Sequence, residues 1–335
     1  MTRATAPVST PVSTPAAPRV WFVTGASRGL GRAFAEAALA AGDSVAALAR
    51  TTSALDELAT AHPGRVRVLT ADVTDRAAVF AAVADAVGHF GHLDVVVNNA
   101  GTLSMGMTEE FTEAEARAQM EVNFFGALWV CQAVMPHLRK RGAGHIVQIS
   151  SIGGVAAFPA TGLYSASKFA LEGMSEALAM EAAPFGVKVS IVQPGGYWTD
   201  LYTSMHAAAP LDAYAPLRAE LEAQWAEGSV DSEPRLAADA VLALVGAEEP
   251  PLRLLLGSMV YDLAFDVARR RMDTWAAWEE TSRAAERAVP MPVPAAAEPA
   301  HGPAGPAPAP APAPAGQAPV PAGPGTALPA AGGRA

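Results

Sequence analysis

The sequence predicts an α/β protein built on a doubly wound parallel sheet. Three observations predict it. Short β-branched runs at 20–23, 44–48, 66–69, 95–97, 145–149 and 188–192 alternate with longer helical patterns, the order expected of repeated βαβ units. Several of these runs are apolar throughout, which suits strands covered by helices on both faces. The alternation stops near both ends of the 335-residue chain, so one packed domain over 19–288 is expected between a segment at 1–18 and a tail at 289–335.

The two ends differ from the middle in what they can bury. Residues 1–18 alternate Pro, Ala, Ser and Thr and lack the unbroken apolar stretch of a secretory leader. From Val289 onward Pro, Ala and Gly dominate, and too few large apolar side chains remain to offset ordering entropy; a disordered Pro/Ala-rich tail is expected. Within the domain, 197 to about 230 breaks the βαβ alternation where a substrate lid would sit. Residues 253–256 then read as a last strand, followed by a charged amphipathic helix to about 288.

Charge and cysteine usage narrow the function classes. The net charge is -10, with acidic and basic residues interspersed and no Lys/Arg stripe, so nucleic acid is not an expected partner. Cys131 is the one cysteine; it falls in the helical run 127–138 and reads as a packed thiol in a reducing, cytoplasmic compartment. Apolar runs are too short to cross a bilayer, and no membrane partner is expected.

The first strand leads into Thr24, Gly25, Ala26, Ser27, Arg28, Gly29, Leu30 and Gly31, which open a helical pattern through Phe34, Ala38 and Leu39. Gly25 permits a tight turn, Gly29 lets backbone approach a pyrophosphate, and Gly31 lets the helix pack close, while the helix N-terminus offers free N–H donors. That pattern points to dinucleotide binding. The end of the second strand, where a carboxylate would accept from the ribose 2′-hydroxyl of NAD, instead reads Ala49, Arg50, Thr51. Arg50 and Arg28 are placed to clamp a 2′-phosphate, which favours NADP(H).

Tyr164 and Lys168 lie four apart at the start of a helical pattern through Leu171, Met174 and Leu178, on one face. A phenol is a poor base near neutrality, and a neighbouring ammonium is expected to stabilise its phenolate and lower its pKa. Upstream, Ser150 and Ser151 end the strand 145–149; adjacent strand residues point to opposite faces, so one hydroxyl faces the site.

These residues resemble the short-core branch of the short-chain dehydrogenase/reductase superfamily over 20 to about 256. The glycine turn and the Tyr-x-x-x-Lys pair are joined, in the family's order, by Asp72 and Val73, by Asn98, Asn99, Ala100 and Gly101, by Asn123 in a helix, and by the run Pro194 to Thr199. The resemblance implies a Rossmann-type sheet. It places the active serine 13 residues before the tyrosine, which selects Ser151. It implies that Asp72 and Val73 meet the adenine, that Asn98, Ala100 and Gly101 line the cofactor trough, and that Thr199 with the Pro194 and Gly195 backbone holds the nicotinamide carboxamide. Ser27 and Leu30 belong to the turn that cradles the phosphates. It further implies a carbonyl/alcohol oxidoreductase in which Ser151 bonds the substrate oxygen, Tyr164 transfers the proton, Lys168 supports it, and Asn123 positions a relay water. A nonenzymatic NADP(H)-binding sensor or scaffold is the alternative, and a missing catalytic residue would favour it.

His89, His92 and Asp94 read as surface loop residues, and no metal is expected. Tyr197, Trp198, Leu201, Tyr202, Met205, His206, Tyr214, Leu217 and Trp225 make the lid rich in large side chains, so an apolar ketone, aldehyde or alcohol is the expected small-molecule substrate. Small-residue faces on the helices within 111–138 and 164–181 resemble those through which family members form homodimers or homotetramers.

Overall fold

The computed structural model describes residues 17–226 and 231–287; the remainder, which holds nearly all of both expected disordered ends and residues 227–230 of the expected lid, lies outside the described residues. The described residues up to Glu279 and those from Glu280 onward belong to two separate units. Seven strands, β1 (Val20–Thr24), β2 (Ser44–Ala49), β3 (Val66–Thr70), β4 (Val95–Asn98), β6 (Gly144–Ile149), β7 (Val187–Pro194) and β9 (Arg253–Leu256), form one parallel sheet in the order β3-β2-β1-β4-β6-β7-β9. Each expected strand is present to within two residues at either end.

Both faces of the sheet are covered, which is why the strand runs are apolar without alternation. On β1, Trp21 and Val23 pack with Phe34, Ala35, Ala38 and Leu39 of α1 (Gly29–Ala40) and with Ala237, Ala238, Val241 and Leu244 of α8 (Pro234–Gly246). Val20 and Phe22 point the other way, toward Val79 and Val83 of α3 (Arg76–Phe90) and Val130, Val134 and Leu138 of α5 (Gly126–Arg141). On that face also lie Leu178 and Ala182 of α6 (Gly162–Ala182). A shorter helix, α2 (Ser53–Ala61), adds Leu55 and Leu58 to the first face.

From β1 the chain winds outward through β2 and β3, then returns to the far side of β1 with β4. Sheets of this kind open a crevice outside the strand carboxyl ends at that reversal. The ends of β1, β4, β6 and β7 meet there, and they carry Thr24, Asn98, Ile149 and Pro194.

Three features depart from the expected pattern. The helical stretch within 111–138 is broken: α4 (Glu113–Met120) passes through a π-helical turn, Glu121–Phe125, before α5, and Asn123 sits in that turn. The extra residue in a π turn swings one side chain off the helical register, a change that apolar periodicity does not encode. A two-stranded parallel pair also forms between β5 (Ser104–Met105) and β8 (His206–Ala207), too short to leave a sequence signal. The final helix is shorter than expected: α9 (Ser258–Ala277) ends where Trp278 leaves helical backbone, and α10 is Glu279–Ala284.

The expected lid begins at Tyr197, which bridges to Ser232, and includes β8 and α7 (Ala215–Ala226). Three neighbouring carboxylates fasten it. Glu110 accepts from the Met107 and Leu211 N–H groups at 2.7 and 2.8 Å and pairs with Arg218. The Tyr214 hydroxyl donates to Glu109 at 2.7 Å, and His206 Nε2 lies 2.6 Å from Glu115. Leu217 and Leu221 complete the seat against Met105, Met107 and Ala160.

The Arg218 guanidinium, followed by the two backbone donors, holds the Glu110 carboxyl down at about 2 from its ordinary 4.5. A carboxyl depressed by folding contributes stability above its ordinary value and loses that contribution as pH falls through the folded one. Limited proteolysis should therefore find 206–221 resistant at pH 7 in the wild type, cleaved in Glu110→Gln, and increasingly cleaved in the wild type between about pH 4.5 and 2. Identical cleavage of the two proteins at pH 7 would refute this anchoring.

Candidate active site

The glycine turn is set by how closely backbone meets backbone. Gly25 and Gly29 have φ of +64° and +55°, a region that side chains disfavour. A methyl group at Gly31 would lie 2.3 Å from the Gly25 carbonyl oxygen and 2.4 Å from Asn99 Nδ2. Asn99 Nδ2 donates to the Thr24 and Gly25 carbonyls at 3.0 and 3.4 Å, and Thr24 Oγ1 accepts from the Asn99 and Ala100 N–H groups at 3.0 Å each. The end of β4 is thereby stapled to the turn after β1. No side chain caps the N-terminus of α1, so its first N–H groups remain available to an anion.

A cleft of about 410 Å³ runs along the strand ends. The glycine turn lines it with Gly25, Ser27, Arg28, Gly29 and Leu30; the ends of β2 and β3 add Arg50, Asp72 and Val73; the end of β4 adds Ala100 and Gly101. Ser151, Tyr164, Lys168, Pro194, Gly195 and Thr199 line the same cleft. Arg50 is 67% exposed and stands 3.8 Å from Asp72, whose other oxygen is held by the Thr74 N–H and hydroxyl at 2.9 and 2.8 Å. Arg28 Nη2 donates to Ser204 Oγ at 3.2 Å. The end of β2 presents no carboxylate to the cleft.

Three expected residues fall outside the lining. Gly31 lies beneath the turn and acts through close packing, and Asn123 is buried behind the cleft. The expectation that Asn98 lines the trough is corrected: its side chain is buried and donates to Cys131 Sγ at 3.4 Å. Successive residues leaving a strand point to opposite faces, so Asn98 turns toward α5 and Asn99 toward the cleft. Asn99 and, beyond it, Thr102 and Val122 are among the lining residues that were missed. The alternation rule applied to β4 was the available signal for Asn99; nothing local marks the other two.

The two serines after β6 separate as strand geometry requires. Ser150 Oγ donates to buried Glu172 at 2.7 Å, while Ser151 Oγ accepts from the Gly153 N–H at 3.0 Å and its hydroxyl acts on the Tyr164 phenol in the cleft. Lys168 Nζ donates to the Ile149 carbonyl at 2.9 Å and stands 5.7 Å from the Tyr164 ring centre. Asn123 closes the rear: its amide donates to the Thr102 carbonyl and to Ser167 Oγ at 3.0 Å each, and its oxygen accepts from the Thr102 N–H at 2.8 Å. Gly101 packs between Asn123 and Lys168, where an added methyl would lie 3.4 and 3.8 Å from their polar atoms.

Burial dominates the electrostatics. It pushes the Tyr164 phenol up to about 12, with the Ser151 hydroxyl pulling it back, and pushes the Lys168 ammonium down to about 8, with Glu172 opposing. The expected lowering of the phenol by Lys168 is thus not what the structure shows: the ammonium is engaged by the Ile149 carbonyl, and burial raises the phenol. As it stands, Tyr164 is an acid holding its proton throughout the neutral range.

The lid divides by role. Tyr197, Leu201 and Tyr202 line the cleft, Tyr214 and Leu217 pack against Met105 and Met107, and Trp198 is largely exposed. His92 pairs with Asp94, which also receives Arg141 and the Val20 N–H, and the described residues contain no cluster of three metal-ligating side chains. Cys131 is buried and pushed up to about 11 by burial, an unreactive thiol. No described helix is long and apolar enough to cross a membrane.

The chain belongs to the short-chain dehydrogenase family, whose model matches residues 19–209. It is 39% identical to a 3-ketodihydrosphingosine reductase of Bacteroides thetaiotaomicron over 72% of this chain and 89% of that one. Among solved structures it resembles a short-chain dehydrogenase from Streptomyces avermitilis (41% identity, TM-score 0.74, 81% of this chain and 99% of that chain). It also resembles one from Burkholderia cenocepacia in complex with NADP (31% identity, TM-score 0.62, 78% and 97%). As a member of this family the protein is an oxidoreductase.

Gly31→Ala should destabilise the protein by about 1–3 kcal/mol, because the new methyl meets a carbonyl oxygen that cannot yield. Gly88→Ala, in α3 with nothing within 4 Å, should stabilise it by about 0.5–1 kcal/mol. Thermal unfolding of both variants checks the pair, and equal melting temperatures would contradict it.

Proposed function

We propose that the protein interconverts an apolar ketone or aldehyde and its alcohol with NADP(H). The observation that carries this reading is that Ser151, Tyr164 and Lys168 share one cleft with the glycine turn, while two guanidinium groups and no β2 carboxylate border it. These residues fit the dinucleotide: the turn admits backbone close to a pyrophosphate, the uncapped α1 terminus offers N–H groups, and Arg28 and Arg50 suit a 2′-phosphate. When bound, NADPH supplies the hydride.

The protein's own residues do the rest. Ser151, with its oxygen occupied by the Gly153 N–H, donates its hydrogen to the substrate oxygen and fixes it near Tyr164. Tyr164, kept neutral by burial, gives that oxygen a proton as negative charge develops on it. Once substrate and cofactor exclude water from the cleft, protonated Lys168, 5.7 Å from the Tyr164 ring centre, becomes the charge that offsets the phenolate left behind. Asn123 holds the Gly101–Thr102 backbone that walls the lysine. Oxidation of the alcohol runs the same transfers backward. Tyr197, Leu201 and Tyr202 over the cleft favour an apolar substrate, and the long-chain ketone named for the Bacteroides relative is of that class. Self-association into a homodimer or homotetramer belongs to the same reading.

Steady-state assays against medium- and long-chain ketones test this. Tyr164→Phe should lower kcat about a thousandfold and Ser151→Ala about a hundredfold. Carbonyl reduction should hold steady below about pH 8 and fall above it as Lys168 loses its proton. KM should favour NADPH over NADH, with the preference eroded in Arg28→Ala and Arg50→Ala. Full turnover by Tyr164→Phe would overturn the reading.

A further inference from the structure

Behind the cleft lies a buried carboxylate that the proposed chemistry does not use. Glu172 follows Lys168 by one turn of α6, so Tyr164, Lys168 and Glu172 lie at four-residue intervals along one helix face. It is 5% exposed, and such a burial is costly unless the charge is answered. Three partners answer it, one just beyond the end of β6 and one each on β7 and β9. Ser150 Oγ donates to Oε1 at 2.7 Å, Gln193 Nε2 donates to Oε1 and Oε2 at 2.8 and 3.0 Å, and Arg253 Nε donates to Oε2 at 3.3 Å.

The placement of those partners is what matters. Ser150 immediately precedes Ser151, and Gln193 immediately precedes Pro194 and Gly195 of the cleft wall. The turn after Ser151 also rests on the carboxylate: a methyl group at Gly154 would lie 2.3 Å from Glu172 Oε1 and 2.5 Å from Ser150 Oγ. One carboxylate thus joins the ends of β6, β7 and β9 to the helix that carries Tyr164 and Lys168.

We propose that Glu172 is a positioning residue for this site: through Ser150 it fixes Ser151 against Tyr164, and it places a carboxylate one helical turn from Lys168 on the same face of α6. The proposal rests on the catalytic reading of Tyr164 and Lys168 given above. Among the described residues, the charged or titratable groups around the pair are Tyr164 and Glu172 on α6, Arg253 on β9 with Glu176 beyond it, and Tyr202 beside the cleft. The partners from β6 and β7 and Asn123 from the π turn do not titrate. Glu172 opposes the effect of burial on Lys168, and Arg253, paired with Glu172 at 3.3 Å, brings a charge of the opposite sign.

The two charges therefore give opposite signs in one experiment, the pH profile of kcat/KM for ketone reduction by the full chain. Glu172→Gln should lower kcat about tenfold with little change in the KM for NADPH, and should move the alkaline limb down by about half a pH unit or more. Glu172→Asp, which keeps the charge, should lose rate but keep the limb in place. Arg253→Gln should move the limb up. A role confined to folding would reduce the active fraction without moving any limb. Should Glu172→Gln fail to fold, Arg253→Gln decides alone, and an unmoved limb overturns the proposal. Loss of turnover in Tyr164→Phe together with unmoved limbs in the Glu172 and Arg253 variants would sink Glu172 and leave the catalytic reading standing. Full turnover in Tyr164→Phe would remove both.

Discussion

The contact on which the site depends is the approach of the Gly25 carbonyl to the start of α1, with the Asn99 amide wedged against both. A methyl group at position 31 would fall 2.3 Å from one and 2.4 Å from the other, so the space for α1 exists only because residue 31 has no side chain. That closeness lets Asn99 reach the Thr24 and Gly25 carbonyls, and Thr24 Oγ1 reach back to the Asn99 and Ala100 N–H groups. β1 and β4 are the strands at which the winding of the sheet reverses, and a crevice is obligatory there. The four hydrogen bonds turn that generic crevice into a wall of fixed shape, from which the remaining lining residues take their positions.

The other half of the cleft is governed by desolvation. Tyr164, Lys168 and Glu172 occupy one face of α6, and each pays for lost water in its own way. The phenol keeps its proton, the ammonium takes the Ile149 carbonyl, and the carboxylate gathers three donors at the ends of three strands. Because those donors sit on strand ends, the hydrogen bonds that satisfy the charge also lock the helix to the sheet. Electrostatics and positioning are the same set of bonds.

Much of this could be read from residue order. The parallel sheet followed from apolar runs without alternation, and β1 shows why, with Trp21 and Phe22 buried on opposite faces. The glycine turn and the Tyr164–Lys168 pair are local patterns, and local patterns survive translation into space. Asn98 misled because the motif holds two asparagines and their faces are decided by where β4 ends. The direction of the Tyr164 shift was missed because desolvation is a property of everything packed around a group, whereas the neighbouring lysine is visible in the sequence. Glu172 went unnoticed for a related reason: its partners are 22, 21 and 81 residues away and meet only in the folded sheet.

The lid shows why reaction type and substrate choice separate in this fold. The catalytic groups stand on α6 and on strand ends inside the sheet's core, whereas Tyr197, Leu201 and Tyr202 reach the cleft from a segment whose fastenings lie elsewhere. Those fastenings are Glu109, Glu110 and Glu115, which hold Tyr214, Arg218 and His206 and touch none of the catalytic residues. Changes in the stretch that leads from β7 to the first of these anchors, 197–205, can reshape the apolar mouth while the acid, its ammonium and the carboxylate behind them keep their geometry. The chemistry is therefore written in a few short-range spacings, and the choice of substrate in a stretch of chain constrained mainly at its points of attachment.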